Sequence, residues 1–131
     1  MVDAFKADYA QIRQALFAEH GARVGELRGQ LSHANPGRSS SAIERSVFAT
    51  LLQDIERRCL DAMIESLASN GYDTCVKVYD GCLVRAKAGV PMLRPGILEA
   101  AAAHIHAQTQ IRMRCWEKCL LCGETLAKCA C

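Results

Sequence analysis

Ile43, Val47, Leu51, Ile55, Cys59, Met63 and Leu67 recur at every fourth position, and no other feature restricts the fold of this chain as much. A repeat of four drifts slowly around a helix of about 3.6 residues per turn, so the apolar stripe is wide and slanted. Ser41 and Glu44 have capping-box spacing at its start, and Asn70-Gly71 supplies a stop. The reading is one long amphipathic helix.

A β-hairpin is expected next. Thr74 to Tyr79 and Cys82 to Lys87 are short β-prone runs separated by Asp80-Gly81, the favoured chemistry of a type I′ turn. In that register Cys75, Lys77, Tyr79, Cys82, Val84 and Ala86 share one face. Val76, Val78, Leu83 and Arg85 share the other, which is expected to pack on the long helix.

Upstream, Asp3 is a suitable N-cap for a first helix carrying Phe5, Tyr9, Ile12 and Leu16 on one stripe, with Gly21 at its end. A poorer helix follows from Ala22 to Leu31, weakened by Gly25 and Gly29. Ser32 to Ser41 holds Asn-Pro-Gly and a run of serines, and reads as a loop. Downstream, Ala88 to Arg94 reads as a loop and Pro95 suits a helix start. Ile97, Leu98, Ala101, Ala102 and Ile105 form the buried side of a helix ending near Thr109. Ile111 to Trp116 alternates with arginine, the pattern of a half-buried strand.

The fold class is therefore α+β: N-terminal helices and a long amphipathic helix on a small β-sheet. After the loop the order is helix, strand, strand, helix, strand. One domain is expected over 1–118, with a helical region at 1–31, a linker at 32–41 and a core at 42–118; a cysteine-rich tail, 119–131, follows. The length of 131 residues suits a single domain, and 50% hydrophobic residues argue against disorder. With aromatics at 5%, the core must be aliphatic and alanine-rich.

A net charge of +2 is too small to argue for nucleic acid by itself. The cations are mostly arginine, 11 against 5 lysines, and arginine suits bidentate contact with phosphate or carboxylate. No apolar run approaches the roughly 20 residues of a membrane span. Met1 to Lys6 does not read as the start of a secretory signal, so an intracellular location is expected. On that expectation the eight cysteines are reduced thiols or metal ligands rather than a disulfide framework.

Residues 46–86 carry a resemblance. They run as a helix with Leu51-Leu52-Gln53 and Glu56, more aliphatic turns, Gly71, and a hairpin ending Tyr79-Asp80-Gly81-Cys82-Leu83-Val84. This is similar to a segment in replication proteins of large DNA viruses and phages, where a long helix leads to a hairpin reading His/Phe-Asp-Gly-Leu-Met-Val. It resembles more distantly the palm of family A DNA polymerases, whose last catalytic motif is a hairpin with His-Asp-Glu. The likeness covers about 41–118, the helix, strand and Glu117-Lys118 after the hairpin included.

The resemblance implies a fragment or remnant of a viral-type DNA replication protein, nucleotidyltransferase-like if active. It maps Asp80 onto the palm aspartate that ligates Mg²⁺. Apart from the resemblance, Arg85, Arg112 and Arg114 come together if the last strand joins the hairpin, as a patch for the phosphates of DNA or nucleotide, although solvated arginine is the plainer reading. Gly81 departs from the polymerase glutamate, and two-metal transfer needs a second carboxylate, for which Asp8, Asp73 and Glu99 are the acids to weigh. Lys6 to Ile12 echoes the first polymerase motif, but 72 residues separate Asp8 from Asp80, too few for the intervening fingers; Asp8 reads as a helix-surface residue. Asp-Gly is also simply what a two-residue turn prefers.

The tail suggests other chemistry. Cys119, Cys122 and Gly123 have the form of a zinc knuckle, and Cys129 and Cys131 can complete a tetrahedral Zn site. A cysteine-rich tail without metal is the plainer reading. Cys59, Cys75 and Cys82 read as buried small hydrophobes, and Cys115 as a strand residue. His104 and His106 lie two apart on a helix, poor spacing for one metal, and His20 and His33 read as surface residues. The second functional reading is a non-catalytic binding or assembly module, with the long helix and the zinc tail as surfaces for a protein partner.

Overall fold

The computed structural model describes residues 2–78, 81–85 and 93–118. They form an α+β chain in the order α1 (Val2–Glu19), α2 (Gly21–Ala34), α3 (Ser40–Ser69), β1 (Thr74–Val78), β2 (Gly81–Val84) and α4 (Ile97–Thr109). The chain divides into two compact units, and the division falls inside α3, between Ile55 and Glu56.

In the first unit α1 yields to α2 at His20, one residue before the expected glycine. Val24, Leu27, Ile43, Val47 and Leu51 make the core, and Leu16, Phe17, Leu31 and Ile55 pack against it. The first half of the four-step repeat of α3, Ile43 to Ile55, is thus the face that α2 covers. Each such side chain taken fully out of water contributes about 1.5–3 kcal/mol. Phe48 joins from the same helix, edge-on to Tyr9 at 5.1 Å and to Phe17 at 6.1 Å. Ile12, expected on the buried stripe of α1, is instead 55% exposed.

The expected linker at 32–41 is shorter and lies within this unit. Helix α2 continues to Ala34, and Asn35 closes it by donating both its backbone N–H and its side-chain amide to the Leu31 carbonyl, each at 3.1 Å. Gly37 takes a positive φ of 102° in the reversal. The helix start also differs from the Ser41–Glu44 box. Ser39 is the cap, its hydroxyl accepting from the Ala42 N–H at 3.3 Å. Glu44 turns to α2, where both its oxygens accept from Arg28, and this pairing holds its carboxyl below the usual range. The Arg28 guanidinium also lies over the Phe17 ring, 5.9 Å from its centre.

In the second unit α3 ends as its sequence demands. Gly71 has φ +78°, Tyr72 N–H donates to the Leu67 carbonyl at 3.0 Å and Gly71 N–H to that of Ala68 at 2.9 Å, a Schellman closure. Leu67 and Tyr72 form a small core with Ile97, flanked by Met63, Cys82, Val84 and Leu93. Helix α4 buries Ile97, Ala101 and Ile105 of its expected stripe, whereas Leu98 and Ala102 are only half-buried.

The hairpin corrects two expectations. Its strands pair Val78 with Gly81, Lys77 with Cys82 and Val76 with Leu83, then Thr74 with Val84 across a bulge. Gly81 is therefore a strand residue paired with Val78, not the second residue of an Asp80-Gly81 turn. The packed face is also the opposite one. Cys82 and Val84 meet the small core, while Val76 and Val78 are 52% and 38% exposed. Lys77 does not forbid this, because its long stem carries the ammonium out to Asp61 on α3.

The expected third strand at Ile111 to Trp116 is absent from the sheet: residues 111–117 have no regular structure, and Lys118 makes only an isolated bridge. Among the described residues no helix is long and apolar enough to cross a membrane.

Candidate nucleic-acid interface

The segment after α4 is aimed by the helix end. Gln110 adopts a left-handed φ of 62° and donates its N–H to the His106 carbonyl at 2.8 Å. The Thr109 hydroxyl donates to the Ile105 carbonyl at 2.7 Å, accepts from the Ile111 N–H at 3.2 Å, and receives the buried Cys59 thiol at 3.8 Å. The chain thus leaves the helix in a set direction.

From there burial alternates. Ile111, Cys115 and Glu117 are half-buried, whereas Arg112, Arg114, Trp116 and Lys118 are exposed. This period of two is the mark of an extended backbone with one side covered. Only Met113, 41% exposed, breaks it. The one acid in the segment lies on the covered side: Glu117 accepts from the Leu93 N–H with both carboxylate oxygens, at 3.1 and 3.3 Å. The open side is consequently three cations around an indole that is 65% exposed. Arg112, Arg114 and Lys118 make no ion pair among the described residues. A single exposed tryptophan is ordinary on a protein surface. One bracketed by cations that are unpaired among the described residues is a surface suited to an anionic partner with flat rings.

Arg85 is exposed one residue beyond β2, its N–H bonded to the Asp73 carbonyl at 2.9 Å. The ladder that would have aligned it with Arg112 and Arg114 does not form. Asp80, Cys119, Cys122, Cys129 and Cys131, singled out above for Mg and Zn, lie outside the described residues. Asp8 belongs to the first unit, Asp73 stands at the open end of the hairpin, and Glu99 is exposed on α4. Other carboxylates serve packing: Asp61 takes Lys77, and Glu65 meets His104 at 3.1 Å. Among the described residues no three His, Cys, Asp or Glu side chains are grouped to hold a metal.

Beneath the cationic row Cys82 and Cys115 are half-buried thiols. Burial pushes both thiols up, and the nearby Cys115 raises Cys82 further. The thiolate is the reactive form, so both are expected to alkylate slowly at neutral pH and faster as pH rises toward their raised values. Peptide mapping after timed iodoacetamide treatment checks this. Rapid labelling of Cys82 and Cys115 at pH 7, at the rate of a free thiol in solution, would contradict it.

Comparison with protein-family models, with curated proteins and with solved structures returned no match. The functional reading therefore rests on the residues themselves. Trp116 and Lys118 carry no motif, and their signal was the alternation starting at Ile111, continued past the arginines.

Proposed function

We propose that this chain is a nucleic-acid-binding module whose contact surface is the outward row Arg112, Arg114, Trp116 and Lys118. One observation carries the reading: the row holds three exposed cations, while the segment's only acid, Glu117, is turned inward to Leu93. Arginine favours phosphate because its planar fork donates in pairs. The resemblance of residues 41–118 to the palm of viral-type replication proteins is compatible with such a surface and with an intracellular location. A Mg²⁺-dependent role at Asp80 would need a second carboxylate beside it.

The test is binding of random-sequence DNA, single- and double-stranded, followed by fluorescence anisotropy across a salt series. Affinity should fall steeply with salt, because phosphate contacts release counterions. The double variant Arg112→Ala/Arg114→Ala should bind more weakly and flatten the log–log salt slope by about 1.4, two contacts at roughly 0.7 each on a single strand. Absence of binding at low salt, or a variant with the wild-type slope, refutes the reading.

A further inference from the structure

We infer that the nucleic acid this surface takes is single-stranded, with one base stacked on the Trp116 indole between phosphates held by Arg114 and Lys118. The inference rests on the nucleic-acid reading above and adds the form of the ligand.

Three observations carry it. The indole is 65% exposed, yet it sits in a segment whose alternate residues are held against the protein, so the ring is presented by an anchored backbone. That anchoring is specific: Ile111 is bonded to Thr109, and Glu117 to Leu93. Second, Arg112, Arg114, Trp116 and Lys118 follow one another at alternate positions, spaced by about 6.6 Å along an extended chain. Cation, cation, ring, cation in one line matches a strand whose phosphates run along one side and whose bases are free to turn toward the protein. Third, the elements that enter a duplex major groove are a helix or a paired ribbon, and this segment is neither. In a duplex the bases are already stacked on one another, so the indole would find no face. In a single strand every base offers one, whatever the sequence.

Trp116 is the only tryptophan of the chain, so its emission reports this contact directly. The full-length protein is titrated with a random-sequence single-stranded oligonucleotide, with the same sequence as a duplex, and with heparin, a polyanion without bases. Saturable quenching by the single strand is expected, with little change from duplex or heparin even where anisotropy shows them bound. Trp116→Leu should weaken single-strand binding roughly ten-fold or more and leave heparin binding unchanged; Trp116→Phe, which keeps a ring, should recover much of the loss. Circular dichroism of both variants confirms that the fold is retained. Single-strand binding without quenching, or wild-type affinity in Trp116→Leu, overturns the stacking inference while the nucleic-acid reading stands. Binding of heparin but of no nucleic acid overturns both and assigns the row to an acidic protein or polysaccharide.

Discussion

Leu51→Ala is expected to lower the unfolding free energy by about 3 kcal/mol, within the range of roughly 2–5 found for buried leucines. Leu51 is 2% exposed and packs among Val24, Leu27, Ile43 and Val47. The truncation removes burial and leaves a void that neighbouring helices cannot close without moving, and the two losses add. Its neighbour provides the control. Leu52 is 41% exposed on the same helix, so Leu52→Ala removes a side chain that was already largely in water. That change should stay within about 0.5 kcal/mol, since alanine also favours the helix slightly. Urea unfolding followed by far-ultraviolet circular dichroism measures both. The Leu51 variant should shift the midpoint to lower urea with little change in slope. Equal shifts for the two variants would show that the core does not lie on the face assigned to it.

The contrast between Leu51 and Leu52 was legible in the sequence, because a four-step repeat marks one face of α3 whatever it packs on. Asn70-Gly71 was legible for a local reason: only a residue tolerant of positive φ closes the helix this way. The hairpin was legible as a hairpin but not in its details. Tyr79-Asp80 and Asp80-Gly81 both satisfy a two-residue connection, and Val76 and Val78 looked like the greasier face. Packing decided otherwise, because Cys82 and Val84 meet Tyr72 and Ile97, and Lys77 escapes to Asp61. Such choices depend on residues distant in sequence. The alternation from Ile111 onward predicts a strand. It truly reports an extended chain covered on one side, and pairing requires in addition a free edge in register. For the candidate site, Arg112 and Arg114 are legible in the sequence, whereas Trp116 is not. Its meaning depends on Glu117 turning inward to Leu93, which no spacing rule reveals.

Tyr72 is where the second unit should prove most sensitive. Its ring fills the core with Leu67 and Ile97, and its hydroxyl accepts from the Arg94 backbone N–H at 2.9 Å and from Arg94 Nε at 3.3 Å. The Arg94 guanidinium lies 5.8 Å above the same ring and reaches back to the Asn70 carbonyl at 3.1 Å. One side chain thus ties the end of α3 to the segment that leads into α4. Two substitutions separate its contributions. Tyr72→Phe keeps the ring and leaves the Arg94 N–H without its acceptor, for an expected loss of about 1–2 kcal/mol. Tyr72→Ala removes the ring as well, and the loss should rise to roughly 4 kcal/mol, as for other buried aromatics. The cation–ring contact is a smaller component, about 0.5–1 kcal/mol near the surface. In a double-mutant cycle with Arg94→Met the coupling energy should report only the side-chain contacts, because Arg94→Met keeps the backbone N–H, whose bond is then lost with Tyr72→Phe in either background. Thermal unfolding of the four proteins gives the result. If Tyr72→Phe melts with the wild type, the hydroxyl bond contributes nothing, and the approach to α4 is held by Leu93 and Glu117 instead.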